Sequence, residues 1–375
     1  MNTQTTKPSF NYALRSSFLM AGLISVMSLI LLISGCATQA PVKEEEEAPV
    51  IVWPGPPEEP RIRYLGSLKS LEDVAGKQQQ SIRDMLMGKE SAENKALSKP
   101  YAVHSDSKGR VFVADTGIAG LIVFNIKEKN VSFWGVTGLG ALSKPVGVTS
   151  NAQGNVFVSD VLNHRVVIFD NDGNYLDAYG GEEILNSPVG LVYNDETQRL
   201  YVVDSKQNQI IVFDPQGDID FTIGKGGEPS AKPGEFNIPT NIATDNDGRL
   251  YVSDSMNFRV QIFEADGTFV RTFGQPGDRP GDFSRLKGIG VDSDGHIYTV
   301  DASFNNFQIF NDSGELLLFI GQSGTGPAGF YLPAGAHVDH NNRIFIADQY
   351  NRRIQMFEYI GEPAQDESKS TAAEQ

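Results

Sequence analysis

From residue 100 to residue 361 the chain alternates short apolar runs with polar turns, and the alternation has a long fixed period. Each unit opens on Pro and small residues, save the fifth, which opens on Leu286 where the Pro is missing, then crosses a polar turn and runs through an aromatic and valine stretch ending in Asp. A second apolar stretch, another turn and an aromatic followed by Gly complete it. The span Pro239–Gly274 (PTNIATDNDGRLYVSDSMNFRVQIFEADGTFVRTFG) shows the whole unit. Runs of β-branched and aromatic residues bounded by Gly, Asn and Asp are strands and turns, so each unit predicts four short strands. The strand-ending aspartates are Asp115, Asp160, Asp204, Asp254, Asp301 and Asp348, spaced 44 to 50 residues apart. Six periods of that size predict an all-β fold, a six-bladed β-propeller over residues 99–361.

The sixth unit stops short, because the chain turns polar just after Ile360 and Gly361. Its missing fourth strand has a match upstream, where Arg61–Gly66 (RIRYLG) repeats the alternation and terminal Gly of Phe269–Gly274 (FVRTFG). Residues 61–68 are therefore expected to pair as the outer strand of blade six, which removes an open edge. Residues 69–98 place Leu71, Val74, Ile82, Met85 and Leu86 among polar neighbours, with Ser81 and Asp84 as a helix-start box. They predict a helical insertion of one or two short amphipathic helices. Residues 36–60, rich in Pro, Glu and Ala with Glu44 to Glu47 in a row, read as a flexible tether, and residues 362–375 as a disordered tail.

The repeating text resembles the NHL repeat, which implies an NHL-type propeller and leaves its function open. At the other end, Phe18 to Ile33 form an apolar run after a weakly basic start, and Ile33-Ser34-Gly35-Cys36 follows. This order is that of a secretory signal over residues 1–35. The four residues resemble the bacterial lipobox, in which the cysteine thiol is lipidated after cleavage. An uncleaved anchor is the alternative, since sixteen apolar residues are slightly short for a span. Ala37 behind Cys36 resembles an outer-membrane sorting pattern. The resemblance thus implies a lipoprotein of the cell envelope, held to a membrane through Cys36, the only cysteine.

Charge narrows the partners. With 31 basic and 47 acidic side chains the chain carries a net charge of −16, which argues against nucleic acid. Candidate ligand groups lie just after the aspartates of blades two, four and six, as Asn163-His164-Arg165, Asn257-Phe258-Arg259 and Asn351-Arg352-Arg353. Arg165, Arg259, Arg353, Asn163, Asn257, Asn351 and His164 would either ring the channel mouth with donors for an acidic ligand, or reach back to the aspartates and lock the turns. Aligned repeats place His104 and His337 at one register of the innermost strands of neighbouring blades, a start for a divalent metal site. The NHL family includes a zinc lyase acting on peptidyl-hydroxyglycine, and its site draws histidines from several blades. Here Thr149, Val192, Ala243 and Gly290 hold the other four equivalent positions, so no third ligand stands at that register. No confident cofactor follows. The expected function is a binding or assembly platform for a protein, peptide or glycan. The rival is a metal-dependent lyase or hydrolase at the channel mouth.

Overall fold

Two kinds of strand are written into each repeat, and they differ in what they bury. The second and third strands are apolar without alternation, and in Val156–Asp160 and Leu250–Asp254 every residue is buried. The fourth strands are more exposed, and in blades four and five they alternate, so that every second residue of Phe269–Phe273 and Leu316–Ile320 lies exposed. In the computed structural model, which describes residues 50–76 and 96–361, these strands pair into six antiparallel sheets. The first strands are Pro100–Ser105, Pro145–Ser150, Pro188–Asn194, Pro239–Thr244, Leu286–Val291 and Pro333–Val338. Each touches the first strands of the two neighbouring blades, so they form a closed ring around a central channel.

The core is divided among the blades. Six apolar clusters fill the six gaps between neighbouring sheets, as where Phe112, Ala114 and Val123 of blade one meet Val156, Val158 and Phe169 of blade two. Fully burying side chains of this size stabilises by roughly 1.5–3 kcal/mol each, so the blades cohere through their faces. The connections add plugs: Phe236, Phe283 and Phe330 are fully buried between blades. Each ring occupies the space a Cβ would need on the glycine that ends the preceding blade. A Cβ on Gly274, at φ +102°, would lie 2.5 Å from the Phe283 ring. That position accepts only glycine.

Blade six closes as the sequence implies. Ile62–Leu68 pairs antiparallel with Arg353–Tyr359, from Ile62 opposite Tyr359 to Leu68 opposite Ile354. The tether expected over residues 36–60 needs correcting, however, because Val52–Trp53 adds a fifth strand on Ile62 and Arg63. The apolar run Val50 to Trp53 gains a partner that its local sequence does not contain. The rings of Trp53 and Tyr64 stand edge-on to Phe357, with centroids 5.9 and 5.3 Å away.

Of the helical insertion, the described part is one short helix, Leu71–Ala75. Ser70 caps it: the Ser70 backbone N–H donates to Asp73 Oδ2 at 2.8 Å, while Ser70 Oγ accepts from Glu72 N–H at 3.3 Å. Leu71 and Val74 pack on the cluster between blades six and one. Cys36, the signal segment, the Ser81 and Asp84 box and the tail fall outside the described residues. Among the described residues no helix is long and apolar enough to cross a membrane.

Candidate functional site

The aspartate that ends each second strand organises one face of the disc. It is fully buried in all six blades, and its carboxylate accepts backbone N–H groups from the connection leading into its own blade. Asp115 accepts from Ser98 and Lys99, Asp160 from Ser143 and Lys144, and Asp301 from Ser284 and Arg285, all at 2.8–3.0 Å. The repeat motif thus fixes the residue just before each first strand.

The arginines and asparagines proposed as ligand donors serve the same clamp. Arg259 Nε donates to Asp254 at 2.8 Å, and its remaining nitrogens donate to the carbonyls of Ala231, Lys232 and Glu235, each at 2.9 Å. Arg353 repeats this with Asp348 and the carbonyls of Thr325, Gly326 and Gly329 at 2.6–2.8 Å. Asn163, Asn257 and Asn351 each donate to their own aspartate at 2.6–2.8 Å. His164 has a left-handed backbone at φ +51°, like Phe258 and Arg352 in the other two turns, and its Nδ1 lies 2.7 Å from the Asn186 carbonyl. Arg165 is the exception. It reaches the Ala141 carbonyl at 2.9 Å, while its buried Nε has no partner. Blades four and six place Gln261 and Gln355 two residues after the arginine, each donating to the same aspartate, where blade two has Val167. Instead of ringing the mouth with free donors, these groups are engaged inside the loop connections.

The side chains that do line the mouth come from the clamped positions. Lys99, Lys144 and Arg285 immediately precede the first strands of blades one, two and five, and Lys287 is the second residue of the blade-five strand. Together with Tyr101 and Tyr350 they line a recess of about 270 Å³ at the loop end of the channel. Lys99 Nζ lies 5.7 Å from the centre of the Tyr350 ring. Burial, and then the adjacent Arg285 guanidinium, hold the Lys287 ammonium below its ordinary pKa. Burial raises the Tyr101 phenol, and Arg285 opposes that rise. A sequence signal for this site existed in the triplets Ser98-Lys99-Pro100, Ser143-Lys144-Pro145 and Ser284-Arg285-Leu286.

At the opposite end the two aligned histidines do meet. The His104 and His337 rings lie 4.4 Å apart between centroids, in a recess of about 180 Å³ lined by all six first strands. His337 Nε2 donates to the Ser105 carbonyl at 3.2 Å, and His104 Nε2 is 2.8 Å from Ser150 Oγ. Burial, then the neighbouring His337, pushes His104 well below its ordinary value. Burial pushes His337 down to about 4, against the opposing pull of Asp339. Among the described residues no group of three or more His, Cys, Asp or Glu stands close enough to hold a metal ion. Between the two ends the first strands approach very closely: a Cβ on Gly335 would lie 2.7 Å from the Tyr101 carbonyl oxygen, and one on Gly190 2.6 Å from Asn241 Cα.

Comparison with known proteins agrees with this architecture. A family model described as a 6-bladed beta-propeller matches residues 235–307, and an NHL repeat model matches residues 142–169. The chain is similar to NHL repeat-containing protein 3 of Homo sapiens, 33% identical over 113 residues that make up 28% of this chain and 32% of the relative. It is similar to NHL repeat-containing protein 2 of Gallus gallus, 30% identical over 98 residues, 24% of this chain and 14% of that one. The chain therefore spans about a third or less of these relatives' own length. Among solved structures, an auxiliary nutrient binding protein from Bacteroides thetaiotaomicron superposes with a TM-score of 0.56 at 16% identity, over 70% of this chain and 69% of that one. Virginiamycin B lyase from Staphylococcus aureus superposes with a TM-score of 0.53 at 15% identity, over 70% and 95%. At such identities the likeness is one of fold.

Proposed function

Because this chain is a six-bladed β-propeller built of NHL repeats, we propose that it is a binding platform of the cell envelope, tethered through a lipidated Cys36, that presents its loop face to a protein, peptide or glycan. The observation that carries this reading is the make-up of that face. Leu139, Leu162, Met256, Tyr331 and Tyr350 are all half or more exposed in the loop connections of that face, Tyr350 lines the basic recess, and the turns of Leu162, Met256 and Tyr350 are pinned by the buried aspartates. Exposed apolar groups on a rigid frame are what a binding surface needs, since little order is lost when a partner docks. The likeness in fold to an auxiliary nutrient binding protein supports a binding role. The lipobox-like Ile33-Ser34-Gly35-Cys36 supports the tether.

The test places a photo-activatable cross-linker at Leu162 or Met256, and for contrast at Leu176 or Leu317 on the outer strands, in the full-length protein in cells. Discrete adducts are expected from the loop-face positions and not from the outer strands. The Cys36→Ser protein is expected to lose labelled palmitate and leave the membrane fraction. Adducts confined to the outer strands would overturn the platform, and equal palmitate labelling of both proteins would overturn the tether.

A further inference from the structure

The mouth recess gathers cations without anions. Blades five, six, one and two are consecutive around the ring, and they bring together Lys99, Lys144, Arg285 and Lys287 from positions far apart in the chain. No Asp or Glu is among the described residues lining the recess. Among the described residues none of these four side chains forms a hydrogen bond or an ion pair. Several arginines elsewhere are answered by carboxylates, as in the pairs of Arg110 with Asp106 at 2.8 Å and Arg199 with Asp220 at 2.6 Å. The nearby carboxylates of Asp115, Asp160 and Asp301 lie behind the recess and are occupied by backbone N–H groups. The chain as a whole carries an excess of 16 negative charges, so this is a local concentration against the general trend.

Like charges crowded into a partly desolvated concavity repel one another, and Lys287 is half-buried beside Arg285. A concavity of one sign also focuses its field outward and attracts the opposite charge. At about 270 Å³ the recess takes a group of about phosphate or citrate size. We propose that this mouth is a binding site for a compact multivalent oxyanion, of the phosphate or polycarboxylate kind, held on the propeller axis by Lys99, Lys144, Arg285 and Lys287. Lysines act as point charges without the planar fork of arginine, so three lysines and one arginine select charge and size over one fixed geometry. The inference rests on the loop face being the working face, and it gives that face a chemical preference.

The test is calorimetric titration of the full-length protein in neutral detergent at low salt with pyrophosphate, with citrate, and with acetate as a monovalent control. Pyrophosphate or citrate is expected to bind one to one and acetate not to bind, and the winning arm names the oxyanion. Replacing Lys99→Ala together with Lys144→Ala is expected to weaken binding at least tenfold. Replacing Lys127→Ala together with Lys129→Ala, exposed lysines in an outer turn of blade one, removes the same charge and is expected to leave binding unchanged. The proposal falls if neither anion binds, if both double variants lose affinity equally, or if a single-stranded oligonucleotide binds more tightly than either anion. Anion binding lost with loop-face cross-links intact would remove the site and leave the platform standing.

Discussion

The loop face contains two sets of charges that differ in one respect. Arg259 and Arg353 each carry a guanidinium whose three nitrogens all donate, to an aspartate and three carbonyls, and the same set recurs in blades four and six. Lys99, Lys144, Arg285 and Lys287 sit next to that machinery, held in place by it, yet among the described residues no carboxylate answers their charges. A polar group that recurs with the repeat has been fitted to the needs of the fold. One that appears in only some repeats and stays unpaired is free to meet something else. Arg165 lies between the two sets: it occupies the repeated position, but its Nε is left over.

The sharpest way to break this contrast is to remove a matched arginine. Arg353→Ala leaves the buried Asp348 carboxylate without its cation and the Thr325 and Gly326 carbonyls without their side-chain donor, and should cost about 3–5 kcal/mol. Arg165→Ala removes a single hydrogen bond and should cost only about 1 kcal/mol. Urea unfolding of the full-length protein in detergent reads both, and equal losses would mean that the clamp does not depend on the matched set.

A smaller effect is expected at the histidine end. His337 stays neutral in the fold down to about pH 4, and His104 is likewise held well below its ordinary value, whereas unfolded histidines take up protons below about 6.5. Because the folded values are depressed bases, the unfolded state binds more protons in that window. Stability should therefore fall as pH drops from about 6.5 towards 4, with no contribution from the pair above it. Asp339 works against this at His337, and His340 and Arg343 with it. The melting temperature of wild type should drop more steeply across that range than that of the His104→Gln, His337→Gln protein. Parallel curves would show that the pair is not the titrating element.

The smallest effect should come from the mouth. Removing Lys99 and Lys144 together should leave stability within about 0.5 kcal/mol of wild type, since neither side chain completes a contact the fold needs. A loss of several kcal/mol on the same urea scale would place these lysines with the clamp and undo the distinction.

Which of these features the chain discloses by itself depends on whether the partner is local. The blades, and the closing strand at residues 61–68, are visible because each repeat spells the same alternation and Arg61–Gly66 copies its last line. The alignment of His104 with His337 follows from the same register. The pairing of arginine with aspartate is legible too, since five residues separate them in one turn. Its consequence for ligand binding is not, because the backbone carbonyls that take the other donors belong to a connection some 25 residues earlier and have no letter in the sequence. Val52–Trp53 is hidden for a related reason: its aromatic partner, Phe357, lies at the far end of the chain. The basic mouth was obscured by the overall acidity and by its origin in three blades, where each lysine or arginine alone looks like an ordinary surface residue.

The closing strand also sets an order of events. Arg63 pairs with Glu358 at a sequence separation of 295, so the ladder that completes blade six cannot form until the final repeat has been made. Contacts of such separation are slow to find, because the loop between them must be ordered first. Until then Ile62 and Leu68, which end up fully covered, stand open to water, as does the bare edge of Arg353–Tyr359. An unfinished chain is thus sticky at both ends, and a chaperone that shields residues 61–68 would act on the one segment whose wait is longest.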